Sequence, residues 1–120
     1  VGDGRLRAVA DTTAAVADGP DLVIAVPPLI VDADARPDWA ILDSVVADIG
    51  AGLQAGTTVS IETTVPVGTT RDRIAPALGR ASGLPPEEGF FTVFSRARWM
   101  TSLPAAMEPP SSMPWPPAKP

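Results

Sequence analysis

A chain of 120 residues, 45% of them hydrophobic, is long enough for one domain with a modest core and too short for two. Its formal net charge of -5 argues against a phosphate backbone or an anionic membrane as partner, because either would meet a surface of its own sign; no nucleic acid is expected. The absence of Cys and His removes disulfides, zinc sites of the usual kind and thiol or imidazole nucleophiles, so no metal is expected and any chemistry must come from carboxylates, hydroxyls and bound cofactors.

In chain order, Leu6, Arg7, Ala8, Val9 and Ala10 read as a short strand. Asp11 then offers an N-cap to a helix over 12–18 that Gly19 and Pro20 end. Residues 21–26, DLVIAV, form a near-continuous apolar run stopped by Pro27 and Pro28, the pattern of a central strand covered on both faces. Residues 32–36 read as a polar loop. A cation loop built on Asp32, Asp34 and Asp38 lacks both the glycine and the closing bidentate Glu of an EF-hand, so these residues read as a solvated loop with Asp38 as an N-cap. The following helix carries Leu42, Val45, Val46, Ile49 and Leu53 at helical spacing, with Gly56 beyond its end.

Residues 57–62, TTVSIE, read as the next strand. Ile74, Ala77, Leu78 and Ala81 then give a helical stripe interrupted by Pro76, which predicts a kink or a helix that starts later than Thr70. Glu87 and Glu88 sit in a turn rich in Pro and Gly, and residues 90–94, FFTVF, read as a further strand. Strands alternating with helices across short connections predict an α/β fold with a parallel sheet, because parallel neighbours need crossovers that cover the faces. Ligands bind such sheets beyond the carboxyl ends of the strands, which places residues 25–28, AVPP, and 62–66, ETTVP, on the ligand edge.

Part of the second segment is explained by turn chemistry. Pro66 ends a strand, Gly68 allows a tight turn, and Thr69 or Thr70 can accept backbone N–H bonds as an N-cap. Glu62, Thr63 and Thr64 are left over, where short hydroxyls suit a ribose, a nicotinamide amide or an ordered water.

Between about Leu6 and Ser95 the sequence resembles the NAD-dependent nucleotide-sugar dehydrogenases, the UDP-glucose and UDP-N-acetylmannosamine dehydrogenase group. DLVIAVPPLIVDADARPD is similar to the family's strand, VP-containing loop and acidic loop. SIETTVPVGTT is similar to its E-S/T-T-V-P-x-G-T-T signature, and SGLPPEEGFFTVFS to the approach to its S-P-E-R segment. The resemblance implies a Rossmann domain serving the two-step oxidation of a UDP-sugar C6 alcohol to a carboxylate with two NAD, in a homo-oligomeric cytoplasmic enzyme. By position, Val26, Pro27, Pro28, Glu62 and Thr63 would bind the cofactor, and Thr64 would be catalytic, ordering a water. The family often has Thr where Pro28 stands. Glucose-type members commonly carry Lys at the position of Glu62, so the UDP-N-acetylhexosamine branch is favoured. DLVIAVP alone would also fit a β-hydroxyacid-type dehydrogenase, and ETTVPVGTT discriminates against it.

No strand followed by GxGxxG is present, so the fold expected is an incomplete Rossmann-type parallel sheet without its first βαβ unit, of marginal stability and with weak NAD affinity. Loss of strands 1 and 2 from the order 3-2-1-4-5-6 would leave the strand at Asp21 with an unpaired edge. The start at Val1 rather than Met suggests a piece of a longer protein. Where the family reads S-P-E-R this chain reads SRAR, with Ala97 at the glutamate position and Arg98 matching.

Domain organisation is expected as a partial Rossmann unit over 1–95 and a disordered Pro-rich tail over 96–120. Residues 1–95 hold 6 basic and 13 acidic groups, net -7, whereas 96–120 hold 3 and 1, net +2. A reading-frame break after Ser95 explains the change. The rival is a non-enzymatic product whose PxxP spacings at 114–117 and 117–120 bind a partner groove. No apolar run has the roughly 18 to 20 residues that a membrane span needs, so no membrane partner is expected.

Overall fold

The computed structural model describes residues 3–95; the expectations for Ala97, Arg98 and the Pro-rich tail lie outside them. The architecture is a parallel three-stranded sheet with helices on one face. Its strands are β1 (Leu22–Ala25), β4 (Thr58–Ile61) and β5 (Phe91–Phe94), in the order β1-β4-β5. All three run parallel, with Ala25 opposite Ile61 and Ile61 opposite Phe94, as in the second half of a doubly wound sheet. The expected α/β, Rossmann-type parallel sheet is therefore present as one half.

The helices follow the apolar spacing. In α1 (Thr12–Ala17) the Asp11 carboxylate accepts the Ala14 N–H at 2.9 Å, and only Val16 is buried. In α2 (Ala40–Gly52) Leu42, Val46 and Ile49 are buried on one stripe, with Leu53 buried just beyond the last turn. Trp39, not Asp38, occupies the N-cap position, but the Asp38 carboxylate accepts the Ala40 N–H at 3.0 Å and so satisfies a first-turn donor. The third helical segment opens as a π-helical turn over Thr70–Ile74 and continues as α3 (Ala75–Ser82). Pro76 supplies no N–H, which an α-helix tolerates only in its first turn. The Ala75 N–H accordingly reaches back five residues to the Thr70 carbonyl, and regular α-helix begins at Ala75.

These helices press on one face of the sheet. Val23, Ala25, Val59 and Ile61 point into a core shared with Leu42, Val46, Ile49, Ile74 and Leu78. Two glycines of α2 permit the close helix contacts: a Cβ on Gly52 would lie 2.3 Å from the Thr13 carbonyl of α1, and one on Gly50 2.5 Å from the Ala81 Cβ of α3. No helix among the described residues is long and apolar enough to cross a membrane.

Two expectations need correction. Residues 6–10 form no strand; in the order 3-2-1-4-5-6 a third strand pairs only with the second, and no such neighbour exists among the described residues. The run at 21–26 is not the central strand its composition suggests but the edge strand that loss of strands 1 and 2 is expected to leave. β1 pairs only with β4 among the described strands, and the side chains that alternate to its outer face, Leu22 and Ile24, are 50% and 56% exposed. The centre belongs to β4. The polar loop expected over residues 32–36 is present, and it joins a small antiparallel hairpin, β2 (Ile30–Val31) and β3 (Pro37–Asp38), that the residue pattern does not show. Asp32 closes it, its carboxylate accepting the Asp34 and Arg36 N–H groups at 2.9 Å each.

Candidate functional site at the carboxyl edge of the sheet

β1 and β4 both end at the same edge, and their exit loops run side by side. The Glu62 N–H donates to the Ala25 carbonyl at 2.9 Å, continuing the ladder one step past the last paired residues. Beyond it the Thr63 hydroxyl donates to the Pro27 carbonyl. A matching clip stands at the amino end of the same strand pair, where the buried Thr57 hydroxyl donates to the Pro20 carbonyl at 2.8 Å.

The structure thus brings Val26, Pro27, Pro28, Glu62, Thr63 and Thr64 to one edge, in different environments. Pro27 is buried, Glu62 and Thr63 are half-buried, and Val26, Pro28 and Thr64 are exposed. The Glu62 carboxylate accepts from the Ser60 hydroxyl at 3.4 Å, a long contact. The Thr63 hydroxyl is engaged with the protein itself. Thr64 alone of the threonine pair is uncommitted: neither its hydroxyl nor its N–H has a partner among the described residues.

After Val65, which packs on the core, Pro66, Val67, Gly68 and Thr69 form a tight turn closed by the Thr69 N–H on the Pro66 carbonyl at 3.1 Å. Gly68 holds φ 89° at its third position, as a type II turn requires. The Thr69 hydroxyl also donates to the Pro66 carbonyl, at 2.7 Å. That corrects the expectation that it accepts a backbone N–H as a helix cap: with Thr69 already in helical φ and ψ, the nearest polar group is the turn's own carbonyl. Val65, Pro66, Val67, Arg71 and Phe94 border a cavity of about 320 Å³ beside this turn.

The helical segment after the turn is anchored by Arg73. Its guanidinium donates to both Asp43 carboxylate oxygens, at 3.0 and 2.6 Å, and lies 4.5 Å from the Trp39 ring centre. The Asp43 hydrogen bond holds the Arg73 guanidinium protonated above its ordinary range. Sequence reasoning missed this anchor, because Asp43 and Arg73 stand 30 residues apart. A larger cavity, about 660 Å³, opens between α2 and α3 beside this ion pair. The candidate site is taken at the carboxyl edge instead, because ligands of parallel sheets bind beyond the carboxyl ends of the strands.

Beside the Glu62 carboxylate, the carboxyl edge offers short neutral groups: prolyl rings, a valine, and the Thr64 hydroxyl and N–H, which have no partner among the described residues. They suit a flat, uncharged ligand moiety with a hydrogen-bond acceptor. No glycine-rich turn that would cradle a pyrophosphate stands among the described residues.

Residues 1–93 match the family model described as "UDP-glucose/GDP-mannose dehydrogenase family, NAD binding domain". No curated protein matches the chain. Among solved structures, the chain is similar to GDP-mannose dehydrogenase from Pseudomonas aeruginosa in a ternary complex, with 22% identity and a TM-score of 0.70 over 79% of this chain and 22% of that one. At that identity the likeness concerns the fold alone. It is also similar to NDP-N-acetyl-D-galactosaminuronic acid dehydrogenase from Methanosarcina mazei, with 27% identity and a TM-score of 0.64 over 73% of this chain and 18% of that one. A third is UDP-D-ManNAc dehydrogenase from Pyrococcus horikoshii, with 27% identity and a TM-score of 0.58 over 67% of this chain and 19% of that one. The chain thus spans about a fifth of the length of these structures.

Proposed function

The chain belongs to the UDP-glucose/GDP-mannose dehydrogenase family through its NAD-binding domain, and from that premise we propose that it serves the oxidation of a UDP-sugar C6 alcohol to a carboxylate. In this reading residues 1–95 are the cofactor-binding unit, acting with further segments that supply the pyrophosphate turn and the nucleophile. NAD, when bound, accepts the hydride. Val26, Pro27 and Pro28 form one wall for the nicotinamide end, with Glu62 and Thr63 facing them. Thr64 is the catalytic residue, its hydroxyl ordering a water at the reacting carbon.

The observation that carries this reading is the pairing of the two exit loops at one edge, with Thr63 bound back to Pro27 and Thr64 without a partner among the described residues. A hydroxyl that positions a water needs no shifted pKa; it needs to be fixed and uncommitted. A UDP-N-acetylhexosamine is favoured over UDP-glucose, because Glu62 stands where glucose-type members commonly carry Lys. Two of the similar structures are also named for N-acetylated sugars.

An NAD titration of the isotope-labelled chain, followed by amide shifts, tests the site. Shifts are expected at residues 26–28 and 62–66, with a dissociation constant in the millimolar range or weaker, about -4 kcal/mol at 1 mM. Shifts confined to the groove between α2 and α3 would remove the site from this edge. In the complete dehydrogenase, Thr64→Val should lower kcat on the order of tenfold to a thousandfold with little change in KM, because the lost bond acts chiefly in the transition state. A normal kcat with a lowered Tm would reduce Thr64 to a loop residue. In the same assay UDP-N-acetylmannosamine should exceed UDP-glucose in kcat/KM by at least about tenfold, the discrimination a polar pocket readily supplies.

A further inference from the structure

The two threonines of the ETTVP loop divide their work, and the division follows from how the β1–β4 ladder ends. In that ladder N–H groups of the β4 chain donate across to β1: Thr58 to the Asp21 carbonyl at 3.0 Å, and Glu62 to the Ala25 carbonyl at 2.9 Å. The next rung in register would be the Thr64 N–H on the Pro27 carbonyl. It is not made; the Thr63 hydroxyl holds that carbonyl instead. The return bond, from residue 27 to the Glu62 carbonyl, cannot form because proline has no N–H. Sheet pairing therefore stops at Pro27, and a side chain takes over its acceptor.

We infer that Thr63 is a positioning residue: its hydroxyl substitutes for the missing ladder rung and so releases the Thr64 main-chain N–H as a donor to the ligand. The acceptor that fits is a carbonyl oxygen, such as that of a carboxamide, since a backbone N–H on an exposed loop residue is a fixed, neutral donor. This rests on the cofactor reading for the identity of the ligand, but not for the clip. It also changes the expected part of Thr63, from a group that touches the cofactor to one that acts through Thr64.

The test uses the full 120-residue chain, with NAD as probe. Amide hydrogen exchange in the unmodified chain should be at least about tenfold slower at Glu62, whose N–H is bonded, than at Thr64, whose N–H is free. In Thr63→Val the Thr64 N–H should recapture the Pro27 carbonyl, slowing its exchange and diminishing its NAD-induced shift. Thr63→Ser, which keeps the hydroxyl, should behave as the unmodified chain does. Equal exchange at Glu62 and Thr64 overturns the inference, as does a Thr63→Val chain in which both Thr64 readouts are unchanged. If Thr63→Val does not fold, the unmodified chain and Thr63→Ser decide the matter by the same comparison. If NAD moves no amide at the carboxyl edge, the cofactor reading fails, and the exchange rates alone still sustain or overturn the clip.

Discussion

The two faces of the sheet are unequal. On one, Val59 and Ile61 are fully buried beneath α2 and α3; on the other, Leu22, Ile24, Phe91 and Val93 remain 50%, 56%, 47% and 44% exposed. The edge strands β1 and β5 carry apolar residues on both sides, and only the central strand β4, with Thr58 and Ser60 on one face and Val59 and Ile61 on the other, marks by its composition which face is covered. All three helices pack from one side, and no described element lies over the other. A parallel strand reads as a continuous apolar run because its ordinary setting covers both faces. Here β1 keeps that composition with one face bare, which teaches that the run reports what the strand suits rather than what it meets.

The largest test of this contrast is Ile61→Ala. Removing a fully buried side chain at the centre of the covered face should cost about 2–5 kcal/mol, a large share of the roughly 5–15 kcal/mol by which ordinary domains are stable. A urea titration measures it, and a loss under about 1 kcal/mol would mean that the covered face is not the core. Gly52→Ala should come next. The added methyl meets the Thr13 carbonyl, so α1 must move away from α2, at about 1–3 kcal/mol. An unchanged midpoint would show that α1 adds nothing to the folded layer. The smallest effect is expected for Ile24→Thr on the bare face, within about 0.5 kcal/mol, because the residue is mostly exposed and Thr suits a strand. The same change should lower self-association, visible by light scattering, since it breaks an exposed apolar patch beside a strand edge that has no partner among the described residues. A loss comparable to that of Ile61→Ala would erase the distinction between the faces.

Much of this was legible in the residues. The helix over 40–52 shows itself through Leu42, Val46 and Ile49, and the strands at 58–61 and 91–94 through their β-branched and aromatic runs. The edge that carries the candidate site follows from the parallel order. What was not legible depends on partners. Residues 6–10 have strand composition but lack a neighbour to bond with, and a strand is a relation between segments rather than a local property. The β2–β3 hairpin rests on the Asp32 carboxylate closing a turn, a contact that pattern reading does not see. In the same way Thr63 and Thr64 are alike as residues. They part only because Pro27, 36 positions away from Thr63, presents a carbonyl to one of them.

The paired threonine clips give the sheet an order of disassembly. β1 and β4 are fastened at both ends by a hydroxyl on a prolyl carbonyl, outside the ladder that joins them. β4 and β5 have no such fasteners among the described residues; backbone bonds from Phe91 to Thr57 and from Ser95 to Ile61 close that pair. Peeling should therefore begin at β5, and the β1–β4 ribbon should be the last piece of sheet to part. Limited proteolysis that cuts within β1 before β5 is released would reverse that order.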